Sequence, residues 1–169
     1  MVRVSHDETF VLYSVDYTGD LKYTLYMKSL LSTKSKQVVD FHIANDYVIH
    51  PNNESIYFIK SNNIKRKNKV YTLNLVTHKK TMIYEETKEE YSLSLSLSTD
   101  KKHIFLYSSK YETDNVYLIE DLKITPLFTQ KSKTEYKIDH FNDKYYLLTN
   151  KDNKINFELY ESDTLSHWK

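Results

Sequence analysis

The chain alternates apolar and polar residues over short stretches, a pattern typical of half-buried β-strands. The clearest case is Tyr91–Ser98, in which three leucines alternate with four serines. Because successive side chains of a strand point to opposite faces, these leucines are expected to share one face and the serines the other. Similar stretches of β-branched and aromatic residues recur between short polar turns. The pattern therefore predicts a protein built from many short strands.

The polar turns recur at a nearly constant interval. If Asp7, Asn53, Asp100 and Asp143 mark corresponding turns, the intervals between them are 46, 47 and 43 residues. A second landmark, an aromatic residue two positions before Leu or Ile, recurs at intervals of 48, 46 and 40 residues. It occurs at Tyr23, Tyr71, Tyr117 and Phe157. Because two independent landmarks keep a similar interval, we interpret the chain as a series of repeats.

Each repeat holds four predicted strands. In the second repeat they lie near residues 45–50, 55–61, 69–76 and 79–85, and in the third near residues 91–98, 103–109, 115–120 and 123–129. Four short antiparallel strands per repeat of about 40 to 50 residues are typical of a β-propeller blade. A plain β-sandwich with coincidental spacing is the alternative. The predicted fold class is all-β, with about three and three-quarter four-stranded blades in units near residues 1–40, 41–88, 89–133 and 134–169.

The repeats do not start and stop at blade boundaries. The first predicted strand comprises at most residues 2–5, and the fourth unit contains only three predicted strands. We therefore expect either a cramped four-blade ring or part of a larger propeller, truncated at both ends. An open arc leaves blade faces and strand edges unpartnered, so self-association through those edges is expected.

The amino-acid composition mainly excludes certain folds and kinds of functional site. Sixteen Tyr and seven Phe favour strands, and Ala44, the single alanine, argues against a helical bundle. Gly19 is the single glycine, whereas a Walker phosphate loop, a dinucleotide-binding loop and a nucleophile elbow each need at least two. With no cysteine, the chain has no disulfide, thiolate metal site or Cys nucleophile.

Charge and hydropathy indicate neither a nucleic-acid nor a membrane partner. Twenty-four Lys and Arg against 23 Asp and Glu give a formal net charge of +1. No apolar stretch has the length of a signal-peptide core at the N-terminus or of a membrane span elsewhere. We therefore expect a soluble cytoplasmic protein.

Three histidines lie beside the strand-linking turns and invite an acid–base interpretation. They are His50, His103 and His140, and Asp139 directly precedes the last of them. An Asp–His pair could form part of a catalytic triad, but nothing in the sequence supplies a positioned nucleophile or oxyanion donors. Turn histidines with local hydrogen bonds are the favoured interpretation. We expect no catalytic, cofactor-binding or metal-ligating residue.

Two charged segments were weighed as binding sites. The basic segment comprises Lys60, Lys65, Arg66, Lys67 and Lys69 and is flanked by the aromatic residues Tyr57, Phe58 and Tyr71. Strand periodicity assigns its aromatics to a blade core and its cations to a solvated hairpin, which disfavours a nucleic-acid site. The acidic segment contains Glu85, Glu86, Glu89 and Glu90. It is interpreted as a solvated connection between blades that attracts basic peptides weakly.

Several stretches, in collinear order over nearly the whole chain, resemble the propeller of the oligopeptidase B branch of the prolyl oligopeptidase family. Residues 5–20 read SHDETFVLYSVDYTGD, where the family pattern is S-P-D-G, then Y-S-x-D, then T-G-D-E. Residues 136–150 read YKIDHFNDKYYLLTN, where the family has Y-x-V-D-H, G-D and F-Y-I-L-T-N. His6 replaces the family's Pro and Asn142 replaces its Gly, and Asn tolerates left-handed backbone angles.

The resemblance implies part of a seven-bladed propeller that covers an active site and admits only short peptides. It also implies a parent serine peptidase that cleaves after Arg or Lys and carries its triad on an α/β-hydrolase domain. Nothing in this chain matches that domain, so no catalytic residue is carried over and the chain alone is expected to be inactive. The expected partners are the remaining propeller and hydrolase segments of a split or parent enzyme. The alternative is a free-standing propeller that serves as a protein-interaction module.

Overall fold

A computed structural model describes residues 1–129, 133–152 and 154–169, and strands and turns account for all the regular structure in them. The strands form four antiparallel sheets, and within each sheet the strand order follows the sequence. The fold class is all-β, as predicted. In the same described ranges no helix is long and apolar enough to cross a membrane.

The first compact unit, Met1–Glu85, holds two four-stranded sheets. The first sheet consists of β1 (Val2–Val4), β2 (Phe10–Val15), β3 (Thr24–Ser29) and β4 (Ser35–Gln37). The second consists of β5 (Tyr47–Ile49), β6 (Ser55–Ser61), β7 (Lys67–Asn74) and β8 (Lys80–Glu85). One apolar cluster joins side chains of both sheets, including Leu12, Leu25, Tyr47, Ile56 and Phe58, each fully buried. The inward residues of the alternating strands thus form this core.

The second compact unit, Glu86–Lys169, also holds two sheets. The first consists of β9 (Ser92–Leu97), β10 (Ile104–Lys110), β11 (Thr113–Glu120) and β12 (Lys123–Phe128). The second consists of β13 (Tyr136–Phe141), β14 (Lys144–Thr149) and β15 (Glu158–Ser162). Their shared core contains Phe105, Val116, Leu118, Tyr136, Ile138 and Leu147.

The eight strands predicted for the second and third repeats are confirmed, each within a few residues of its observed bounds. The two faces of β9 differ less than the sequence suggests. Leu93 is 1% exposed, but Leu95 and Leu97 are only partly buried, and Ser94 and Ser96 are covered to a similar degree. Both faces of this strand therefore contact other residues.

The turn after the first strand of a sheet has the same geometry in three of the four sheets. In each, one residue has a left-handed backbone: Glu8 (φ 57°), Asn53 (φ 59°) and Lys101 (φ 62°). The residue before it caps the turn, so Asn52 rather than Asn53 corresponds to Asp7 and Asp100. The sequence-based alignment of the second turn was therefore wrong by one residue.

In the fourth sheet, the turn after the first strand has a different geometry. Asn142 (φ 50°) and Asp143 (φ 57°) form a two-residue hairpin between β13 and β14, and Asn142 is left-handed as its place in the family pattern predicts. The backbone of Lys169 exchanges two hydrogen bonds of 3.0 Å with Glu161 of β15. Lys169 thus lies beside β15 in antiparallel register.

Candidate functional site

The main cluster of polar and aromatic side chains in the second unit surrounds the turn between β9 and β10. His140, at the end of β13, donates its Nδ1–H to Asp100 Oδ2 across 2.7 Å. The His140 ring lies edge-on to His103, with 4.5 Å between centroids, and 4.4 Å from the ring of Tyr145. The hydroxyl of Tyr145 lies 3.2 Å from His103 Nε2. The four side chains bring the two sheets of this unit together, and we call them the histidine cluster.

Burial sets the electrostatics of the histidine cluster. Desolvation, followed by the proximity of His140, lowers the pKa of His103 below its usual 6.5. Burial works to raise the pKa of Asp100, but hydrogen bonds from Ser98, the Lys102 amide and His140 outweigh it and hold that pKa below 3.8. Burial also raises the pKa of Tyr145. The cluster therefore favours a neutral His103 beside an ionised Asp100.

Asp139 does not orient His140, although it precedes it in sequence. Its carboxylate instead accepts the backbone N–H of Thr99 at 2.7 Å and the Thr99 hydroxyl at 2.5 Å. The aspartate that contacts the imidazole is Asp100, 40 residues away. Because the side chains of a strand alternate, neighbours such as Asp139 and His140 point apart.

The turn holds no nucleophile in a triad arrangement. Ser98 donates its hydroxyl to Asp100 at 2.8 Å and accepts the backbone N–H groups of Lys102 and His103. Its oxygen therefore stabilises the turn instead of facing His140. An imidazole held by a carboxylate is half of an acid–base system, and here the pair connects two sheets.

The remaining candidate histidine, His50, makes the local contact predicted for it. Its Nδ1 accepts the backbone N–H of Asn52 at 3.2 Å, and its ring lies 5.9 Å from Tyr57. His6, at the position of the family's Pro, uses the amide that Pro lacks. Its N–H donates to Asn53 Oδ1 at 2.7 Å, which joins the turns of the first and second sheets.

Residues of the basic segment lie partly on β6 and β7 and partly on the hairpin between these strands. The prediction that its aromatics lie in the core is confirmed for Tyr57 and Phe58, which are at most 2% exposed. The prediction that all its cations lie on the hairpin was wrong, because Lys60 is on β6 and Lys67 and Lys69 are on β7. Lys67 pairs with Asp46 at 3.1 Å and Lys69 with Glu85 at 3.2 Å. Lys67 and Lys69 are thus neutralised within the protein.

The acidic segment is not uniformly solvated, contrary to the prediction. Glu86 is 7% exposed. Its Oε2 accepts the hydroxyl of the buried Ser108 at 2.5 Å, and its Oε1 accepts the Lys88 N–H at 3.0 Å. Periodicity could not single out Glu86 because its neighbours in sequence are also charged. Glu89 and Glu90 are exposed, as predicted.

The side chains within residues 1–129, 133–152 and 154–169 include no group of three or more His, Asp or Glu arranged to hold a metal ion. What the histidine cluster provides is a link between sheets built from hydrogen bonds and ring contacts.

Comparison with known sequences identifies the family to which the chain belongs. The family described as prolyl oligopeptidase, N-terminal β-propeller domain, matches residues 1–168. The chain is 25% identical over 165 residues to Protease 2 of Moraxella lacunata, covering 93% of this chain and 24% of that protein. It is 20% identical over 168 residues to Dipeptidyl aminopeptidase BI of Pseudoxanthomonas mexicana, covering 96% and 23%. The chain thus spans about a quarter of the length of these relatives.

Solved structures show the same fold. Oligopeptidase B from Leishmania major aligns with a TM-score of 0.81 at 18% identity, covering 99% of this chain and 26% of that chain. Oligopeptidase B from Trypanosoma brucei, in a closed form with bound antipain, aligns with a TM-score of 0.80 at 23% identity, covering 96% and 24%. Together with the four antiparallel sheets and the match over residues 1–168, these likenesses place the chain in the prolyl oligopeptidase family, within its N-terminal β-propeller domain.

Proposed function

We propose that this chain forms part of the substrate-gating propeller of an oligopeptidase B-like serine peptidase. The observation that carries the proposal is the match of residues 1–168 to the propeller domain of a peptidase family. A propeller that covers an active site restricts entry to short, flexible peptides, because longer or folded chains cannot reach the catalytic groups. The parent enzyme would act in the cytoplasm and cleave short peptides after Arg or Lys.

A gating role suits the chemistry of the chain better than a catalytic one. The single glycine leaves no place for a nucleophile elbow, and the serine beside the Asp100–His140 pair is committed to its turn. We therefore expect the isolated chain to leave a fluorogenic Arg or Lys substrate uncleaved. Turnover that disappears when one serine of this chain is replaced would contradict this expectation.

A chimera tests the gating role directly. The corresponding propeller segment of the Moraxella lacunata Protease 2 is replaced by residues 1–169 of this chain, and cleavage of a short fluorogenic Arg peptide is compared with cleavage of casein. We expect the chimera to cleave the peptide and to spare casein. A chimera that folds and degrades casein as readily as the peptide would refute gating.

The unaltered Protease 2 serves as the control for catalytic competence, and circular dichroism verifies that the chimera folds. If the chimera fails to fold while the isolated chain is a stable monomer, the free-standing interaction module becomes the better hypothesis. The substrate preference for Arg or Lys is read from the same assay with peptides that differ only in the residue before the cleaved bond.

A further inference from the structure

The first unit contains a cleft that the proposed gating role does not use. It lies between the loop at residues 21–22, the segment 41–43 that precedes β5, and the end of β6 with its hairpin at residues 60–65. Its volume is about 480 Å³, within the range of small-molecule sites. A second concavity of about 420 Å³ shares residues 60–63 with it and continues along β7. We call the first of these the lysine cleft.

Ammonium groups dominate the polar lining of the lysine cleft. Lys22, Lys60 and Lys65 line it, and no carboxylate does. Lys22 is paired with Asp20 at 2.6 Å, whereas within the described part of the chain Lys60 and Lys65 form no ion pair. Lys60 is held in place by the ring of Phe41, with its Nζ 4.4 Å from the centroid. Lys60, held by Phe41, and Lys65, which lies within electrostatic range of Asp20, thus face the same space.

Asn62 adds a neutral donor whose orientation is fixed. Its Oδ1 accepts the backbone N–H of Ile64 at 3.1 Å and that of Arg66 at 3.0 Å. These two donors identify the oxygen, so the amide NH₂ is the group of Asn62 that remains to bond a ligand. The hairpin therefore presents hydrogen-bond donors to a cleft already rich in positive charge.

A buried polar group beside the cleft also lacks a partner. Asn68 of β7 is 6% exposed and lines the adjoining concavity, and its Oδ1 is buried without a hydrogen bond. Buried side-chain amides are normally hydrogen-bonded, and an orphan of this kind calls for an explanation such as a bound molecule. A ligand that spans both concavities would bring an anionic group to the lysines and an N–H or O–H donor to Asn68.

From this arrangement we propose that the lysine cleft binds a small organic anion through a carboxylate or phosphate group. Lys60 and Lys65 provide charge-assisted hydrogen bonds, Asn62 donates from its NH₂ group, and the partly exposed Phe41 offers apolar surface to the rest of the ligand. The cleft is separate from the histidine cluster, which belongs to the other compact unit. The proposal does not depend on the gating role.

Titration of the full chain with N-acetyl-trialanine tests the proposal, monitored by NMR of the side-chain amide of Asn62 and by calorimetry. N-acetyl-trialanine amide, which lacks the terminal carboxylate and carries no charge, is the matched neutral probe, and inorganic phosphate is the second anion. We expect N-acetyl-trialanine or phosphate to shift the Asn62 amide resonance and the neutral amide to leave it unchanged. A response to N-acetyl-trialanine alone assigns the site to carboxylates, and a response to phosphate alone assigns it to phosphates. No response to either anion, or an equal response to the neutral amide, would overturn the proposal.

Asn62→Asp is the sharpest variant, because a carboxylate still accepts the two hairpin N–H groups while it replaces the donor with a negative charge. We expect it, and Lys60→Met, to weaken anion binding about tenfold or more. Lys79→Gln, at an exposed lysine outside the cleft, is the control for net charge. Melting curves identify any variant that fails to fold. Because salt screens the attraction between lysine and an anion, anion binding to the unaltered chain should also weaken in moderate salt. Equal affinity of Asn62→Asp and the unaltered chain would contradict the proposal.

Discussion

At the scale of the residue, left-handed backbone positions in the turns are mostly occupied by residues other than glycine. In the described part of the chain, Gly19 and twelve other residues have positive φ, among them Glu8, Lys101 and Asp143. An L-residue in this conformation brings its Cβ close to a carbonyl oxygen at a cost of about 1–2 kcal/mol. Hydrogen bonds that the turn amides donate to neighbouring Asp or Ser side chains offset part of this cost. The sequence predicted the places of these turns, whereas the identity of each left-handed residue needed the backbone.

Replacing Lys101 with Gly should stabilise the chain. Glycine removes the Cβ strain at φ 62° but adds entropy to the unfolded state, so the expected net gain is about 0.5–1 kcal/mol. Urea unfolding measures the difference. Lys123→Gly, which makes the same change in β12, should destabilise the chain, and a loss of stability in both variants would contradict the strain argument.

The histidine cluster should make stability fall on mild acidification. Burial lowers the pKa of His103 below the 6.5 of the unfolded chain, so below about pH 6.5 the unfolded state takes up a proton that the folded state resists. The contribution is fully present above pH 6.5 and is lost as the pH falls through the lowered pKa of His103. Asp100, whose pKa lies below 3.8, contributes at a more acidic pH.

Melting temperatures of the unaltered chain and of His103→Gln, recorded from pH 8 to pH 5, measure this effect. The unaltered chain should lose stability below pH 6.5, and the variant should show a shallower pH dependence. Identical curves would mean that His103 does not carry the effect. The cluster that buries His103 is held by a tertiary contact between His140 and an aspartate 40 residues away, which strand periodicity does not encode.

At the scale of the element, alternation predicted the strands of the second and third repeats well, because strands such as β7 and β11 alternate buried and partly exposed positions and end at short solvated turns. Alternation did not predict the positions where both faces of a strand are partly buried, or where one charged residue among several is buried. Ser94 and Ser96 on β9 and the carboxylate of Glu86 are such places. Their burial depends on which other segments pack against them, which a local pattern does not contain.

Replacing Leu93 tests whether β9 is part of a packed core. Leu93 is 1% exposed on β9, so Leu93→Ala should leave a cavity and cost about 2–5 kcal/mol. Leu122, in the turn after β11, is 60% exposed, and Leu122→Ala should change stability by less than about 0.5 kcal/mol. Chemical denaturation of both variants gives the comparison. Equal effects would show that β9 is not part of a packed core.

At the scale of the whole molecule, exposed apolar residues lie on the outer strands of two sheets. Val2 and Val4 on β1 are 65% and 52% exposed, and Leu159 on β15 is 67% exposed. The edge of β1 offers backbone groups to another chain, the exposed Leu159 offers apolar surface, and a net charge of +1 opposes association weakly. The repeat interval indicated such edges, but which residues line them is visible only in the structure.

We therefore expect the isolated chain to self-associate as its concentration rises. Light scattering across a concentration series measures this, and Leu159→Lys, which places a charge on the exposed strand, should reduce it. Lys137→Leu, which adds an exposed apolar residue to β13, is the opposite control and should increase association. A monomer at every concentration would contradict the expectation.

The sequential strand order has a kinetic consequence. Among the described residues, the strands paired within each sheet follow one another in the chain, so each hairpin brings together segments that are close in sequence. Topologies rich in such local pairings fold quickly for β-proteins. During synthesis, which proceeds from the N-terminus at about 5–20 residues per second, the first sheet could form while the second is still being made. Contacts that join successive sheets, such as His6 to Asn53, would then form one after another as the chain leaves the ribosome.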